Sequence, residues 1–99
     1  MLRQSCEVVF PGSPPRQGYT CELGLDGLSL LTNRPIAPGL RCQIRLDLPT
    51  TSGPVAVTLP AKTVYSSFQG TPGFRIGAHF ERLADADQQV LAEFLQGHG

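Results

Sequence analysis

Residues 40–48 read Leu-Arg-Cys-Gln-Ile-Arg-Leu-Asp-Leu, in which apolar and polar side chains alternate without a break. Because successive side chains of a strand point to opposite faces, this alternation predicts a strand that is buried on one face and solvated on the other. Arg41 and Arg45 then belong to the solvated face. Pro38-Gly39 stands directly before the strand and indicates a tight turn.

Strand-like patterns continue on both sides of this segment. Gly24 and Gly27 punctuate one passage and favour a bulge or a barrel corner there. Pro60 cannot donate a main-chain hydrogen bond, so its segment is expected to bend near that residue. Five further segments are predicted to be strands: residues 5–10, 17–25, 28–32, 55–68 and 74–80.

Only the last segment, about residues 85–96, changes from the two-residue period of a strand to the period of a helix. Apolar side chains there recur at the spacing of one helical face, with Gln88 and Glu93 on the other face. Asp85 and Gln88 are spaced as in a capping box, which predicts that the helix starts at Asp85. Such a helix would pack on the strands through four residues: Val90, Leu91, Phe94 and Leu95.

This order of elements predicts a mostly-β fold in which six or seven antiparallel strands form a barrel closed by one C-terminal α-helix. The length of 99 residues suits one core and one domain spanning residues 1–99. The barrel is expected over about residues 5–83 and the helix over about residues 85–96.

Charge and hydropathy argue against two classes of function, nucleic-acid binding and membrane insertion. Eight basic residues balance eight acidic ones, which argues against binding DNA or RNA because nucleic-acid binders usually carry a basic excess. No apolar run approaches the roughly 20 residues of a membrane span, so membrane insertion is not expected. The N-terminus does not resemble a secretion signal, and we expect a cytoplasmic protein.

Chemistry-bearing residues are sparse. Cys6, Cys21 and Cys42 form an odd, widely spaced set that fits neither a disulfide framework nor a metal site, and buried free thiols are expected. His79 has no acid, serine or cysteine beside it in sequence that would complete a catalytic dyad. No catalytic residue, metal site or cofactor is predicted, and a small enzyme is the least supported class.

Two stretches resemble the PilZ family. Residues 21–30, Cys-Glu-Leu-Gly-Leu-Asp-Gly-Leu-Ser-Leu, resemble the family segment Asp/Asn-x-Ser-x-x-Gly with its following hydrophobic strand. Residues 73–83, with the helix after them, are similar to the closing strand and C-terminal helix of that family, and Pro38-Gly39 falls where PilZ chains place a Pro-Gly turn. The resemblance covers residues 6–95 and implies a PilZ-type barrel whose motif helps to bind cyclic di-GMP.

The candidate nucleotide-binding residues implied by this resemblance are Glu22, Gly24 and Gly27 at the motif positions, together with the basic residue Arg16. Glu22 stands where the family has Asp or Asn, Gly24 stands where it has Ser, and Gly27 is the expected residue. The family's Arg-x-x-x-Arg box is missing, since Arg3 is followed four residues later by Glu7. A ligand with two phosphates needs charge-assisted donors such as guanidinium groups, so direct binding is predicted to be weak or absent.

Two functions therefore stay open beside the small enzyme. The first is a regulatory module of bacterial cyclic di-GMP signalling that acts through contacts with a partner protein. The alternative is a true cyclic di-GMP receptor domain cut from a longer protein whose preceding part carries the arginine box.

Overall fold

The computed structural model describes residues 4–70 and 73–98, without the side chain of His98. Arg3, which sequence analysis compared with the arginine box, lies outside these residues. The described part forms an antiparallel barrel with one C-terminal helix, which confirms the predicted architecture with six strands. The elements are β1 (Ser5–Val9), β2 (Arg16–Leu23), β3 (Gly27–Thr32), β4 (Arg41–Thr50), β5 (Gly53–Phe68), β6 (Phe74–Phe80) and α1 (Asp85–His98).

The barrel consists of two three-stranded meanders, β1-β2-β3 and β4-β5-β6, in which consecutive strands pair. Two seams join the meanders. In one, β1 pairs with β4, for example Cys6 with Leu46. In the other, β3 pairs with β6 from Gly27 opposite His79 to Thr32 opposite Phe74. The candidate site lies on the outer surface of this second seam.

The core fills the barrel interior. β4 shows the predicted alternation, since its even-numbered residues from Cys42 to Leu48 are buried and its odd-numbered residues from Arg41 to Asp47 are exposed. Ile36 also joins the core, although the prolines around it predicted only a turn. The loop that carries Ile36 is fixed by Thr63, whose hydroxyl donates to the Ala37 carbonyl at 2.7 Å.

The helix closes the barrel against β4 and β5. Leu91 and Phe94 are buried, and Val90 and Leu95 pack against the core half-buried, as the helical spacing predicted. α1 begins at Asp85 as predicted, but Asp85 is not the N-cap that a capping box requires. The Gln88 N–H donates to the Ala84 carbonyl at 2.9 Å, which makes Ala84 the N-cap. Within the described residues, no helix has the length and apolar character of a membrane span.

The irregularity of β5 lies between Thr63 and Tyr65 and not at Pro60. Pro60 pairs with Gln43 of β4, and its carbonyl accepts from the Glu81 N–H at 2.8 Å. The N and O of one strand residue point to the same neighbour, so the missing N–H of Pro60 faces the end of β6 rather than β4. The bend expected at this proline is therefore not needed.

The second irregularity was also misplaced. The register of β2 against β3 shifts between Thr20 and Glu22, which makes Cys21 the bulged residue. Gly24 and Gly27 instead close the β2–β3 hairpin, where the Gly24 N–H donates to the Gly27 carbonyl at 2.9 Å. A turn has the same composition as a bulge, which is why the glycines alone did not distinguish the two.

The three cysteines are free thiols in different settings. Cys6 and Cys42 are buried as expected, and desolvation raises the pKa of each thiol to about 11. Cys21 is only half-buried, which corrects the expectation of burial, because the bulge turns it partly outward. Over residues 4–70 and 73–98, no three His, Cys, Asp or Glu side chains gather where they could hold a metal ion.

Candidate binding face

Three of the four predicted site residues lie together at the β2–β3 hairpin. Glu22 is near the end of β2, and Gly24 and Gly27 lie in and after the turn. Arg16 begins the same strand six residues earlier, about 20 Å from Glu22 at the usual rise of a strand. Its guanidinium lies 5.5 Å from the centroid of the Phe10 ring and donates to the Pro35 carbonyl at 3.3 Å. Arg16 thus belongs to another part of the surface.

Gly27 has a structural role in the seam. It pairs with His79, and a Cβ at this position would collide with the main-chain carbonyl oxygen of Ala78. Gly24 is not crowded in this way, because a Cβ there would meet only the Gly27 carbonyl oxygen at 3.7 Å. Close packing of β3 on β6 therefore accounts for Gly27, whereas nothing near Gly24 excludes a larger residue.

Glu22 is held by an ion pair within the protein. Its carboxylate pairs with the Arg75 guanidinium, which reaches it from β6 across the outside of β3. Between them lies Ser29, whose hydroxyl accepts from the same Arg75 nitrogen at 3.2 Å and donates to Glu22 at 3.5 Å. The motif carboxylate is thus neutralised and hydrogen-bonded without any ligand.

This polar cluster of Glu22, Ser29 and Arg75 covers the seam. Ser29 points outward from the barrel, yet it is only 4% exposed. The Arg75 Nε is buried too and has no hydrogen-bond partner in the described part of the chain. Ser29 and Arg75 were not among the predicted site residues, because their approach to Glu22 depends on the pairing of three strands. Alternation in residues 74–80 could place Arg75 on the outer face, but it could not identify the neighbouring strand.

Beside this cluster lies a shallow groove of about 300 Å³. Its floor includes Gly27 and Gly77, which carry no side chains, and Tyr65 borders it on the β5 side. Glu22 and Asp26 border it on the opposite side, and His79 lies at one end. A second concavity, of about 640 Å³, lies between the β2–β3 hairpin and the start of α1. Its lining carries both signs of charge, with Asp26, Glu81 and Asp85 beside Arg82.

The remaining strand arginines are engaged elsewhere. Arg41 lies 3.3 Å from Glu81, and Arg45 lies 2.9 Å from Glu7. Glu7 also accepts a hydrogen bond from Gln17 at 3.0 Å. These pairs belong to the solvated faces of their strands, as the alternation in residues 40–48 predicted for both arginines.

Comparison with known proteins matches nearly the whole chain to one family. A family model described as PilZ domain matches residues 2–97. No curated protein matches the chain.

A solved structure shares the fold. It is described as a pathogenic protein from Xanthomonas campestris with a new tetrameric PilZ domain that self-assembles through an unusual helical bundle. The two chains are 19% identical, with a TM-score of 0.63 over 88% of the present chain. The match covers 48% of the Xanthomonas chain, so the present chain spans about half the length of that relative.

Proposed function

The chain belongs to the PilZ domain family, and from this premise we propose that it is a regulatory module that acts through protein contacts and binds cyclic di-GMP weakly or not at all. PilZ domains are regulatory modules of bacterial cyclic di-GMP signalling, and they bind the nucleotide, other proteins or both. We further propose that it acts in the cytoplasm and without catalysis.

The main support is the ion pair between Glu22 and Arg75. Arg75 and Ser29 both bond to Oε1 of Glu22, so a ligand that takes this oxygen would have to displace both residues, whereas no described residue bonds to Oε2. Displacement leaves the guanidinium without its carboxylate, and that loss subtracts from any binding free energy. The residue at the motif position is therefore already used in the fold.

The charges around the groove support the same conclusion. Phosphate recognition favours guanidinium groups that are free to form bidentate bonds. Here Arg41, Arg45 and Arg75 each have a carboxylate partner, and Arg16 lies far along β2. The carboxylates of Glu22 and Asp26 border the groove itself. Among the described residues, two phosphates would thus find no unpaired guanidinium group at the groove.

Protein contact is the remaining mode of the family. The Xanthomonas relative is described as self-assembling, so a barrel of this fold occurs in a protein assembly. The present barrel exposes large apolar side chains on its strands, including Tyr19 at 54% and Tyr65 at 42%. Aromatic residues are enriched at protein interfaces, which supports a protein partner, and Tyr19 on β2 and Tyr65 on β5 mark opposite sides of the barrel.

Isothermal titration calorimetry with cyclic di-GMP tests the proposal directly. We expect no saturable heat at micromolar protein, whereas a PilZ domain with an intact arginine box gives an isotherm in the same buffer as the positive control. A saturable isotherm for this chain would overturn the proposal and support the receptor alternative.

A further inference from the structure

We infer that the outer face of β5 and β6 formed by Lys62, Val64, Tyr65 and His79, called here the β5–β6 face, binds an acidic segment of a partner protein. The inference rests on the proposed function, because it names the surface and the partner chemistry for the protein-contact mode. It is carried by the exposure of these four residues, the preorganisation of Tyr65 and the charge of Lys62.

The centre of the β5–β6 face is apolar, whereas the exterior of a barrel is usually polar. The bulge between Thr63 and Tyr65 adds one residue to β5, so Val64 and Tyr65 both reach solvent, each 42% exposed. An aliphatic and an aromatic side chain adjacent on a solvated strand form a small apolar centre. Well-packed interface centres are typically built around such an aromatic anchor.

Tyr65 is held in place before any partner binds. Its ring lies over Gly77 on the neighbouring strand, where only the absence of a Cβ makes room for it. A tyrosine fixed in this way loses little side-chain entropy when a partner packs on its free face. Tyr65 is therefore suited to act as an anchor.

The charge next to this anchor is positive and unpaired. Lys62 lies directly opposite His79, so their Cβ atoms are about 5 Å apart on the outer surface. Lys62 is the one strand cation of the described residues without a carboxylate or other polar partner, whereas Arg41, Arg45 and Arg75 are each ion-paired. The Lys62 ammonium is thus available to a carboxylate from outside the chain.

The sign of the charge reverses across the groove, and this orients the partner. Asp26 lies on the far side of the groove without an ion-pair partner among the described residues and would repel an acidic segment, whereas Glu22 beside it is paired with Arg75. Carboxylates of the partner are therefore placed over Lys62 and His79, with an apolar side chain against Val64 and Tyr65. A segment that combines acidic and apolar residues fits this arrangement.

Fluorescence anisotropy with a labelled peptide of sequence Glu-Glu-Leu-Leu-Glu-Glu tests the inference on the full chain. We expect saturable binding that Lys62→Glu weakens by at least about tenfold and that Tyr65→Ser also weakens. Arg34→Glu is the matched control, because Arg34 is an exposed cation in the β3–β4 loop whose guanidinium has no partner among the described residues, and the change in net charge is identical. This control should bind the peptide like the parent chain.

Four results would overturn the inference. The first is no saturable binding at millimolar peptide, and the second is equal weakening by Lys62→Glu and Arg34→Glu. The third is equal binding of the charge-reversed peptide Lys-Lys-Leu-Leu-Lys-Lys. Self-association that Lys62→Glu abolishes, measured by sedimentation, would assign the face to a second copy and also contradict it. A calorimetric isotherm with cyclic di-GMP would contradict the proposed function instead, so the two failures are distinguishable.

Discussion

The ring of Tyr65 occupies the space that a Cβ on residue 77 would take, so Gly77 and Tyr65 form one structural unit across β5 and β6. Gly27, on the neighbouring strand β3, approaches main-chain atoms of Ala78 just as closely. The two glycines differ in what surrounds them. A side chain can rotate away, whereas a strand backbone cannot move without disturbing its ladder.

Alanine substitution of these two glycines should therefore change the free energy of unfolding by different amounts. We expect Gly77→Ala to change the free energy of unfolding by less than about 1 kcal/mol while displacing Tyr65, which NMR shifts of its ring protons will report. Gly27→Ala should cost about 1–3 kcal/mol, because the Ala78 carbonyl must move. Equal stability of the two variants in urea denaturation would contradict this distinction.

Reconstruction of the nucleotide site should depend on Arg75. Glu22→Asp and Gly24→Ser restore the family motif, and Gly24 has room for the serine. Joined to an N-terminal extension carrying Arg-x-x-x-Arg, these changes should restore cyclic di-GMP binding, because two guanidinium groups supply charge-assisted bonds worth about 1.5–3 kcal/mol each. Adding Arg75→Ser should strengthen that binding by freeing residue 22. Calorimetry on both proteins measures the difference, and circular dichroism verifies the fold.

If the reconstructed protein with an intact fold does not bind, the analogy with ligand-binding members holds for the fold alone. If it binds equally well with and without the Arg75→Ser substitution, the internal ion pair does not exclude the nucleotide.

Truncation of the helix anchor should destabilise the whole domain. Phe94 is 6% exposed and packs in the core, so Phe94→Ala should lower the free energy of unfolding by about 3–5 kcal/mol. Leu25→Ala is the control, since Leu25 is 58% exposed in the β2–β3 hairpin and its loss should have little effect. Thermal denaturation compares them, and a Phe94→Ala protein as stable as the control would mean that the helix does not seal the barrel.

The buried thiols should make stability fall in alkaline solution. Burial raises the pKa of Cys6 and Cys42 from 9.0 to about 11, so both thiols stay protonated in the folded chain while the unfolded chain begins to ionise. Their contribution is complete below pH 9 and is lost as the pH rises from about 9 to about 11. Urea midpoints across this range should decline less steeply for Cys6→Ala than for the parent chain, and identical slopes would contradict the assignment.

Sequence patterns predicted local structure better than contacts between distant strands. The alternation in residues 40–48 and 74–80 correctly predicted β4 and β6, because each pattern is complete within one strand. The predictions of a bend at Pro60 and of a bulge at Gly24 were wrong for the same reason. What each residue does depends on which neighbour its main chain faces, and that is decided by strand pairing.

The candidate site shows the same limit. The motif comparison identified Glu22, but its ion pair depends on a residue 53 positions later in the chain. Arg75 became its partner only when β3 was placed between β2 and β6. Arg16, which precedes Glu22 by six residues, lies far from it because a strand is extended.

The two seams between the meanders are also expected to limit the rate at which the chain folds. Each meander can form from neighbouring strands, whereas the seams join residues as far apart as Gly27 and His79. Contacts of high sequence separation slow the search for the native state, so refolding is expected in the millisecond to second range. The β2–β3 hairpin can close early, but Glu22 meets Arg75 only when the β3–β6 seam has formed. A folding intermediate that has both meanders but not this seam would therefore carry a Glu22 carboxylate that is not paired with Arg75. In the folded barrel the two residues form an ion pair.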